Sequence, residues 1–194
     1  MNLTESLLSD IKMCTTCSAS LPLGPRPVVQ MASESRILIA GQAPGKRVHE
    51  TGVPFNDPSG DRLREWMGVS KETFYDPKQM AIVPMGFCYP GTGKSGDLPP
   101  RPECALKWRD QVLASLPNIQ LTLVIGQYAM AFHLPKQSNT LTENVERWEE
   151  YGPHIIPLPH PSPRNNRWLK RNPWFEETVV PMLKKRVSQV LSDS

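Results

Sequence analysis

The segment Arg36-Ile-Leu-Ile-Ala-Gly-Gln-Ala-Pro-Gly45 decides the fold, because an apolar run passes directly into a turn rich in glycine and proline. Three similar apolar runs follow along the chain: Ala81-Ile-Val-Pro-Met85, Leu121-Thr-Leu-Val-Ile125 and His154-Ile-Ile-Pro-Leu158. They are rich in Ile and Val and lack the alternation of half-exposed strands, which is typical of strands buried on both faces. The runs therefore predict a parallel sheet.

Stretches with the apolar spacing of helices separate these runs. Two of these stretches begin after Thr4 and Ser59, and the others cover 103–116, 126–134 and 175–191. In the last one, Pro181 must kink the helix or lie in its first turn. Strands that alternate with helices predict an α/β fold, a three-layer α/β/α sandwich around a four-stranded parallel sheet. Ligands of such sheets bind beyond the carboxyl ends of the strands.

Length and composition exclude several classes of protein. The 194 residues predict a single domain over 1–194, and 39% hydrophobic with 21% charged residues argues against a disordered tail or a coiled coil. The sequence has no apolar run of about 18 residues, so no membrane span is expected. The first twelve residues carry Glu5 and Asp10 and do not resemble a signal peptide, which predicts a cytoplasmic protein.

Positive charge is concentrated near the C-terminal end. Residues 160–186 contain seven Lys and Arg side chains and only two Glu side chains, while the whole chain has a net charge of +3. Such asymmetry indicates a polyanionic partner, although a solvated helix face would have the same composition.

The first strand leads into a loop that can approach a ligand closely. Two glycines and a proline in Gly41-Gln-Ala-Pro-Gly45 favour a tight turn, but the loop has neither a dinucleotide fingerprint nor a phosphate-binding G-K-[ST] sequence. Phe55, farther along the same loop, could stack on a planar ligand. From these residues alone, an ordinary turn and a core aromatic residue remain open.

The last strand leads into Pro159-His-Pro-Ser-Pro-Arg-Asn165, where prolines restrict the backbone around His160. A histidine fixed at the end of a strand is a candidate functional residue, with a structural histidine as the alternative. Ser162, Arg164 and Asn165 offer the hydroxyl, guanidinium and amide groups that typically contact phosphates.

Four cysteines form two pairs, Cys14 with Cys17 and Cys88 with Cys104. A reducing compartment disfavours disulfides, and four thiolates suit either a zinc ion or an iron–sulfur cluster. Four unrelated cysteines, with no metal at all, are the remaining alternative.

Together these features resemble the uracil-DNA glycosylase superfamily. Gly41-Gln-Ala-Pro-Gly45 with Thr51-Gly-Val-Pro-Phe55 is similar to its water-binding and uracil-stacking loop, and the sequence from His160 to Asn165 is similar to its DNA-intercalation loop. The cysteine spacing resembles the iron–sulfur branch called family four, whose cysteines bind a [4Fe–4S] cluster. The sequence HPSPRN, from His160 to Asn165, looks more like the same motif in the single-strand-selective and family-five branches.

The resemblance implies a monomeric DNA glycosylase that acts on uracil or another deaminated base in base-excision repair. It implies catalytic roles for His160, Gln42 and His49, and contacts to the extruded base from Gly41, Ala43, Phe55, Met85 and Gly86. DNA contacts are implied for Pro161, Ser162, Pro163, Arg164, Asn165 and Arg167, and cluster ligation for Cys14, Cys17, Cys88 and Cys104.

The chain departs from the family pattern at three places. Gln42 stands where family four has Glu, Ala43 where other branches have Asp or Asn, and Pro84-Met85-Gly86 near the position of an Asn that reads the edge of uracil. With no carboxylate in the first motif, we expect stabilisation of the leaving group to dominate catalysis. A catalytically silent protein of the same fold that binds DNA or a nucleotide is the alternative.

Overall fold

The computed structural model describes residues 2–193. Its central sheet has four parallel strands in the order β2-β1-β5-β6, which confirms the predicted sheet. These strands are β1 Ile37–Ala40, β2 Met80–Ile82, β5 Leu121–Ile125 and β6 Ile155–Leu158, and a separate antiparallel hairpin contains β3 Thr92–Gly93 and β4 Gly96–Asp97.

Helices cover both faces of the sheet and give the predicted three layers. They are α1 Leu3–Lys12, α2 Lys46–Thr51, α3 Pro58–Met67, α4 Lys71–Phe74, α5 Pro102–Ala114, α6 Gln127–His133, α7 Leu141–Glu146, α8 Trp148–Tyr151, α9 Asn166–Arg171 and α10 Val180–Ser192. Ile37 and Ile39 pack in the core with α3 and α10, whereas Leu38 packs in the opposite core with α1 and α5. Successive side chains of β1 thus enter opposite layers, as the strand period requires.

Three boundaries differ from those predicted. The second strand ends at Ile82 and not at Met85, although the N–H groups of Val83 and Met85 still donate to the carbonyls of Ile39 and Gly41. Asp57, not Ser59, caps α3, since its carboxylate accepts from the Gly60 N–H at 2.9 Å. At the N-terminus, Asn2 forms a capping box with Glu5, while the hydroxyl of Thr4 donates to the Ser115 carbonyl.

The C-terminal helix resolves the alternative left open for Pro181. Residues Phe175–Val179 form a π-helical turn that continues directly into α10, and Pro181 lies in the first turn of α10. Throughout 2–193, no helix is long and apolar enough to cross a membrane.

Candidate active site

A cavity of about 580 Å³ opens at the carboxyl edge of the sheet. This volume lies within the range of pockets that hold small molecules. The segments that follow β1, β2 and β6 all contribute to its wall, as the topology predicts. Nine of the predicted site residues line it: Gly41, Gln42, Ala43, Phe55, His160, Ser162, Pro163, Arg164 and Asn165.

Phe55 is held over the start of the first motif by a tight backbone arrangement. Its φ of 54° is in the left-handed region, which bulky residues rarely adopt. The chain passes so close to Gly60 that a Cβ atom there would overlap the carbonyl oxygen of Phe55. A Cβ built on Gly41 would lie 3.7 Å from Phe55 Cζ, so the ring stands beside the first residue of the motif. The ring edge also packs against Phe74, with centroids 6.1 Å apart.

The geometry fixes the tautomer of His160. The Ser162 N–H donates to His160 Nδ1 at 3.2 Å, and because an amide can only donate, the neutral ring must carry its proton on Nε2. Within residues 2–193, Nε2 has no hydrogen-bond partner, and the side chain lines the cavity. Burial lowers the pKa of His160, an effect that the charges of Asp57 and Asp97 partly oppose. A neutral imidazole that can donate from Nε2 therefore faces the cavity.

The segment 160–165 is organised by its own polar groups. The Asn165 side-chain amide donates to the His160 carbonyl at 2.8 Å, and the Ser162 hydroxyl accepts from the Arg164 N–H at 3.2 Å. From α3, the guanidinium of Arg62 donates to the Pro161 and Ser162 carbonyls at 3.4 and 3.3 Å. The Asn165 side chain and the Ser162 backbone N–H thus orient His160, while the Ser162 hydroxyl holds the following turn; both residues line the cavity.

Pro161 and Pro163 differ in exposure, which changes the expected DNA contacts. Pro161 is buried and Pro163 is the exposed proline of the segment, so of the two predicted contacts with DNA only that of Pro163 is accessible in this arrangement. Arg164 is exposed, lines the cavity and lies against Gly96 of the hairpin. Arg167, on α9, is exposed but does not line the cavity.

Met85 and Gly86 are not placed as predicted. Their N–H groups donate to the carbonyls of Gly41 and Gln42, each at 2.9 Å, so these N–H and carbonyl groups, which were expected to read a base, are already paired with each other. Neither residue lines the cavity. Behind them, the buried guanidinium of Arg109 donates to the carbonyls of Val83 and Pro84 at 2.7 and 3.1 Å. The loop after β2 therefore supports the first motif, and it contributes Pro84 to the cavity wall.

His49 is also not placed as predicted. Its ring lies 6.0 Å from the ring of Tyr89, and it does not line the cavity. The cause is the direction of α2, which turns Lys46, Arg47 and Val48 toward the cavity. Gln42 lines the cavity and His49 does not, so the structure does not bring these two predicted catalytic residues together at the cavity wall.

The cavity contains two carboxylates that the sequence analysis missed, Asp57 and Asp97. Both act on the pKa of His160. Asp57 lies two residues after Phe55 and could have been noticed from that proximity, whereas Asp97 belongs to a glycine-rich hairpin with no local sign of a site. Lys46 and Arg47 were missed as well and add positive charge to the same wall.

The four cysteines converge on a second, much smaller cavity. Cys14 and Cys17 both lie in the turn after α1. Cys88 lies in the loop after β2, and Cys104 lies in the first turn of α5. All four thiols are free. The Trp108 indole N–H donates to Cys14 Sγ, and the Phe87 N–H donates to Cys104 Sγ, each at 3.3 Å.

The thiols are not gathered around a single point. Over residues 2–193, no three His, Cys, Asp or Glu side chains are close enough together to hold one metal ion. Burial raises the pKa of Cys88 and Cys104, an effect that bound iron or zinc would reverse, because a metal cation favours the thiolate. The donor set therefore suits a group in which each sulfur binds a different metal atom.

Comparison with known proteins gives a family for the fold and the two motifs. The family model described as "Uracil DNA glycosylase superfamily" matches residues 29–184, a range that contains the whole sheet and both motifs. A Type-4 uracil-DNA glycosylase from Thermotoga maritima is 26% identical over 168 residues, which cover 82% of this chain and 82% of that protein.

Proposed function

This chain belongs to the uracil DNA glycosylase superfamily, and from that membership we propose that it hydrolyses the N-glycosidic bond of uracil, or of another deaminated base, in DNA. The reaction would be the first step of base-excision repair. One observation supports this most strongly: a neutral His160, with its proton on Nε2, lines the same cavity as the ring of Phe55.

Base capture comes first. The bond is hidden in a stacked duplex, so the base must leave the stack and enter a pocket. The Phe55 ring provides an aromatic surface for it, and a stacking contact of this kind is worth about 1–3 kcal/mol. The exposed Pro163 would occupy the space that the base leaves, while Arg164, Lys46 and Arg47 are placed to contact phosphates at the mouth of the cavity.

Bond cleavage then depends on His160. As the bond between C1′ and the base nitrogen breaks, its electron pair stays on the base and negative charge develops on the uracil oxygens. A donor already oriented toward that charge stabilises the transition state, and loss of one such donor typically costs about 100-fold to 1,000-fold in rate. The bonds from Ser162 and Asn165 hold His160 in place before the reaction begins.

We also propose that Cys14, Cys17, Cys88 and Cys104 hold a [4Fe–4S] cluster. Four thiols around one small cavity, two of them accepting N–H donors, fit such a cluster, and a zinc ion is the alternative for a site of four cysteines. The cluster would be a structural cross-link between the turn after α1, the loop after β2 and α5.

Release of free base from uracil-containing single-stranded and double-stranded DNA tests the function. We expect the wild-type protein to release uracil and His160→Ala to do so about 100-fold more slowly in single turnover, with unchanged thermal unfolding. His154→Ala is the control, since it removes an exposed histidine outside the cavity.

Two outcomes would contradict the proposal. A folded His160→Ala protein with the wild-type rate would remove His160 from the mechanism. If the wild-type protein binds DNA but releases no uracil, hypoxanthine or xanthine, the alternative of a catalytically silent DNA-binding or nucleotide-binding protein is favoured.

A further inference from the structure

The first motif leaves one chemical task unassigned. Hydrolysis transfers a water oxygen to C1′ of the sugar, and that water must lose a proton. Gln42 can orient a water molecule through its amide, but an amide is not basic enough to take the proton. Ala43 has no polar side chain at all. If the chain is a glycosylase, a proton acceptor must therefore come from another segment.

We propose that Asp97, on the hairpin formed by β3 and β4, is the general base that accepts the proton of the attacking water. This inference rests on the proposed function and adds a residue to the same site. Asp97 lines the cavity with Gln42, Phe55 and His160.

The position of Asp97 beside the first motif is the central evidence. A Cβ atom built on Gly45 would lie 3.5 Å from Asp97 Oδ2, so this oxygen lies at the end of the loop that begins with Gly41 and Gln42. No hydrogen bond is made by Oδ2 to any other part of 2–193. One carboxylate oxygen thus remains available for water at the wall that carries Gln42.

The other oxygen of Asp97 is held in place. The Thr92 hydroxyl donates to Oδ1 at 3.2 Å, and because its single proton is used there, Thr92 accepts in turn from the hydroxyl of the buried Tyr89. The Leu98 N–H also closes the hairpin by donating to the Gly91 carbonyl at 2.8 Å. A base oriented by a second group is the usual arrangement for proton transfer in active sites.

Asp57, the second carboxylate of the cavity, is less suited to the task. Its Oδ1 accepts from the Gly60 N–H at 2.9 Å and caps α3, which ties the carboxylate to the helix. Both Asp57 and Asp97 raise the pKa of His160, so both charges act on the leaving-group side of the cavity. Each carboxylate has one oxygen without a hydrogen bond in 2–193, but of the two only Asp97 places an oxygen against a glycine of the first motif, 3.5 Å from a Cβ built on Gly45.

The proposed step is balanced. The water oxygen bonds to C1′, the electron pair of the glycosidic bond remains on the base nitrogen, and one water proton moves to the Asp97 carboxylate. The base leaves as an anion stabilised by His160 and is later protonated by solvent, to which Asp97 returns its proton. The net reaction consumes one water molecule.

Single-turnover release of uracil by Asp97→Asn tests the proposal. We expect the rate to fall by about 100-fold or more, within the range of general-base contributions. Binding of an oligonucleotide with an uncleavable uracil analogue should stay equal or become tighter, because a negative charge near the phosphates has been removed. Asp110→Asn, the same change at an exposed position of α5, should match the wild type in both measurements.

A second variant separates proton transfer from loss of structure. In Asp97→Ala, sodium formate should restore part of the rate, because a free carboxylate can occupy the vacated space. Asp97→Asn with the wild-type rate would overturn the proposal, as would a loss of rate in Asp97→Ala that formate leaves unchanged. A wild-type protein that releases no base would instead refute the proposed function itself.

Discussion

His160 shows how the neighbours of a residue along the chain can determine its chemistry. The Ser162 N–H selects the tautomer, the Asn165 amide holds the backbone carbonyl, and burial favours the uncharged ring. A segment of six residues therefore holds an uncharged imidazole that can donate to the negative charge developing on the base. The proline rings on both sides restrict the backbone further.

The protonation of His160 is predicted to depend on the two carboxylates of the cavity. Burial lowers its pKa below the ordinary value of about 6.5, so the neutral ring persists as the pH falls through that value, and base release should decline only in more acidic solution. Protonation would place a proton on Nδ1 and break the bond from the Ser162 N–H.

Asp57 and Asp97 favour the charged ring, so Asp97→Asn should lower the pKa of His160 further. Histidine ring signals followed by NMR during a pH titration measure this directly, with Asp110→Asn as the unaffected control. Lys46, Arg47 and Arg164 line the same cavity and are unchanged in both variants. An unaltered or increased pKa in Asp97→Asn would separate Asp97 from His160.

At the scale of elements, α3 connects the two motifs. At its N-terminus, Asp57 caps the helix and Gly60 lies against the Phe55 carbonyl; one turn later, Arg62 holds the carbonyls of Pro161 and Ser162. Leu63 is fully buried in the core and anchors the helix on the sheet. One helix therefore fixes both the stacking ring and the segment that carries His160.

Gly60→Ala is predicted to damage both stability and base capture. The added methyl group would overlap the Phe55 carbonyl oxygen, a backbone atom that cannot turn away. We expect a loss of about 1–3 kcal/mol in the free energy of unfolding, the usual cost of an overpacked position. Chemical denaturation measures this loss.

Glu65→Ala, an exposed change on the same helix, is the control for helix effects. A Gly60→Ala protein with the stability of Glu65→Ala and an unchanged affinity for the uracil analogue would show that the close approach at Phe55 is not required.

The elements differ in how far local sequence determines them. The strands of the sheet were predictable because each is a short apolar run, and the first and last end in turns whose composition is distinctive. The β3–β4 hairpin was not, since Thr92–Asp97 is polar, glycine-rich and too short to show alternation. Asp97 reaches the cavity only through the tertiary position of this hairpin. His49 and Met85 were assigned from their place in the sequence, but the direction of α2 and the pairing of two loops decide where they lie.

At the scale of the whole molecule, the loop after β2 connects the cysteine site with the active-site cavity. The loop after β2 begins at the cavity wall with Pro84 and reaches Cys88 a few residues later. The guanidinium of Arg109, on α5, donates to the carbonyls of Val83 and Pro84 at the start of this loop, and it also contacts His133 Nε2 at 2.6 Å. Changes at the cysteines should therefore affect the stability of the fold more than the chemistry.

Cys17→Ala is predicted to lose iron and to lower the melting temperature, because metal binding in such sites is linked to folding. Protein purified without oxygen should be brown and contain iron, and the variant should be colourless. Thr15→Ala, in the same turn, is the control and should keep both colour and stability. Stoichiometric zinc without iron in the wild-type protein would refute the cluster.

DNA affinity is predicted to depend on salt through exposed basic residues. Arg164 lies at the cavity mouth, so Arg164→Ala should reduce the slope of log affinity against log salt by up to about one unit on duplex DNA. Lys185→Ala, an exposed position on α10 outside the cavity, should change the slope less. Equal slopes for the two variants would place the DNA elsewhere on the surface.

The pairing between the loops after β1 and β2 has a consequence for how this protein can evolve. The bonds from Met85 to Gly41 and from Gly86 to Gln42 join backbone atoms, so the bond at position 85 does not depend on the chemistry of its side chain, whereas a Cβ atom at Gly86 would lie 2.9 Å from Pro100 Cβ. Natural variation at position 85 is then bounded by the space around a buried residue and by the exclusion of proline, which has no N–H. A lineage can therefore replace the residue at position 85 and keep the backbone bond that joins this loop to the first motif.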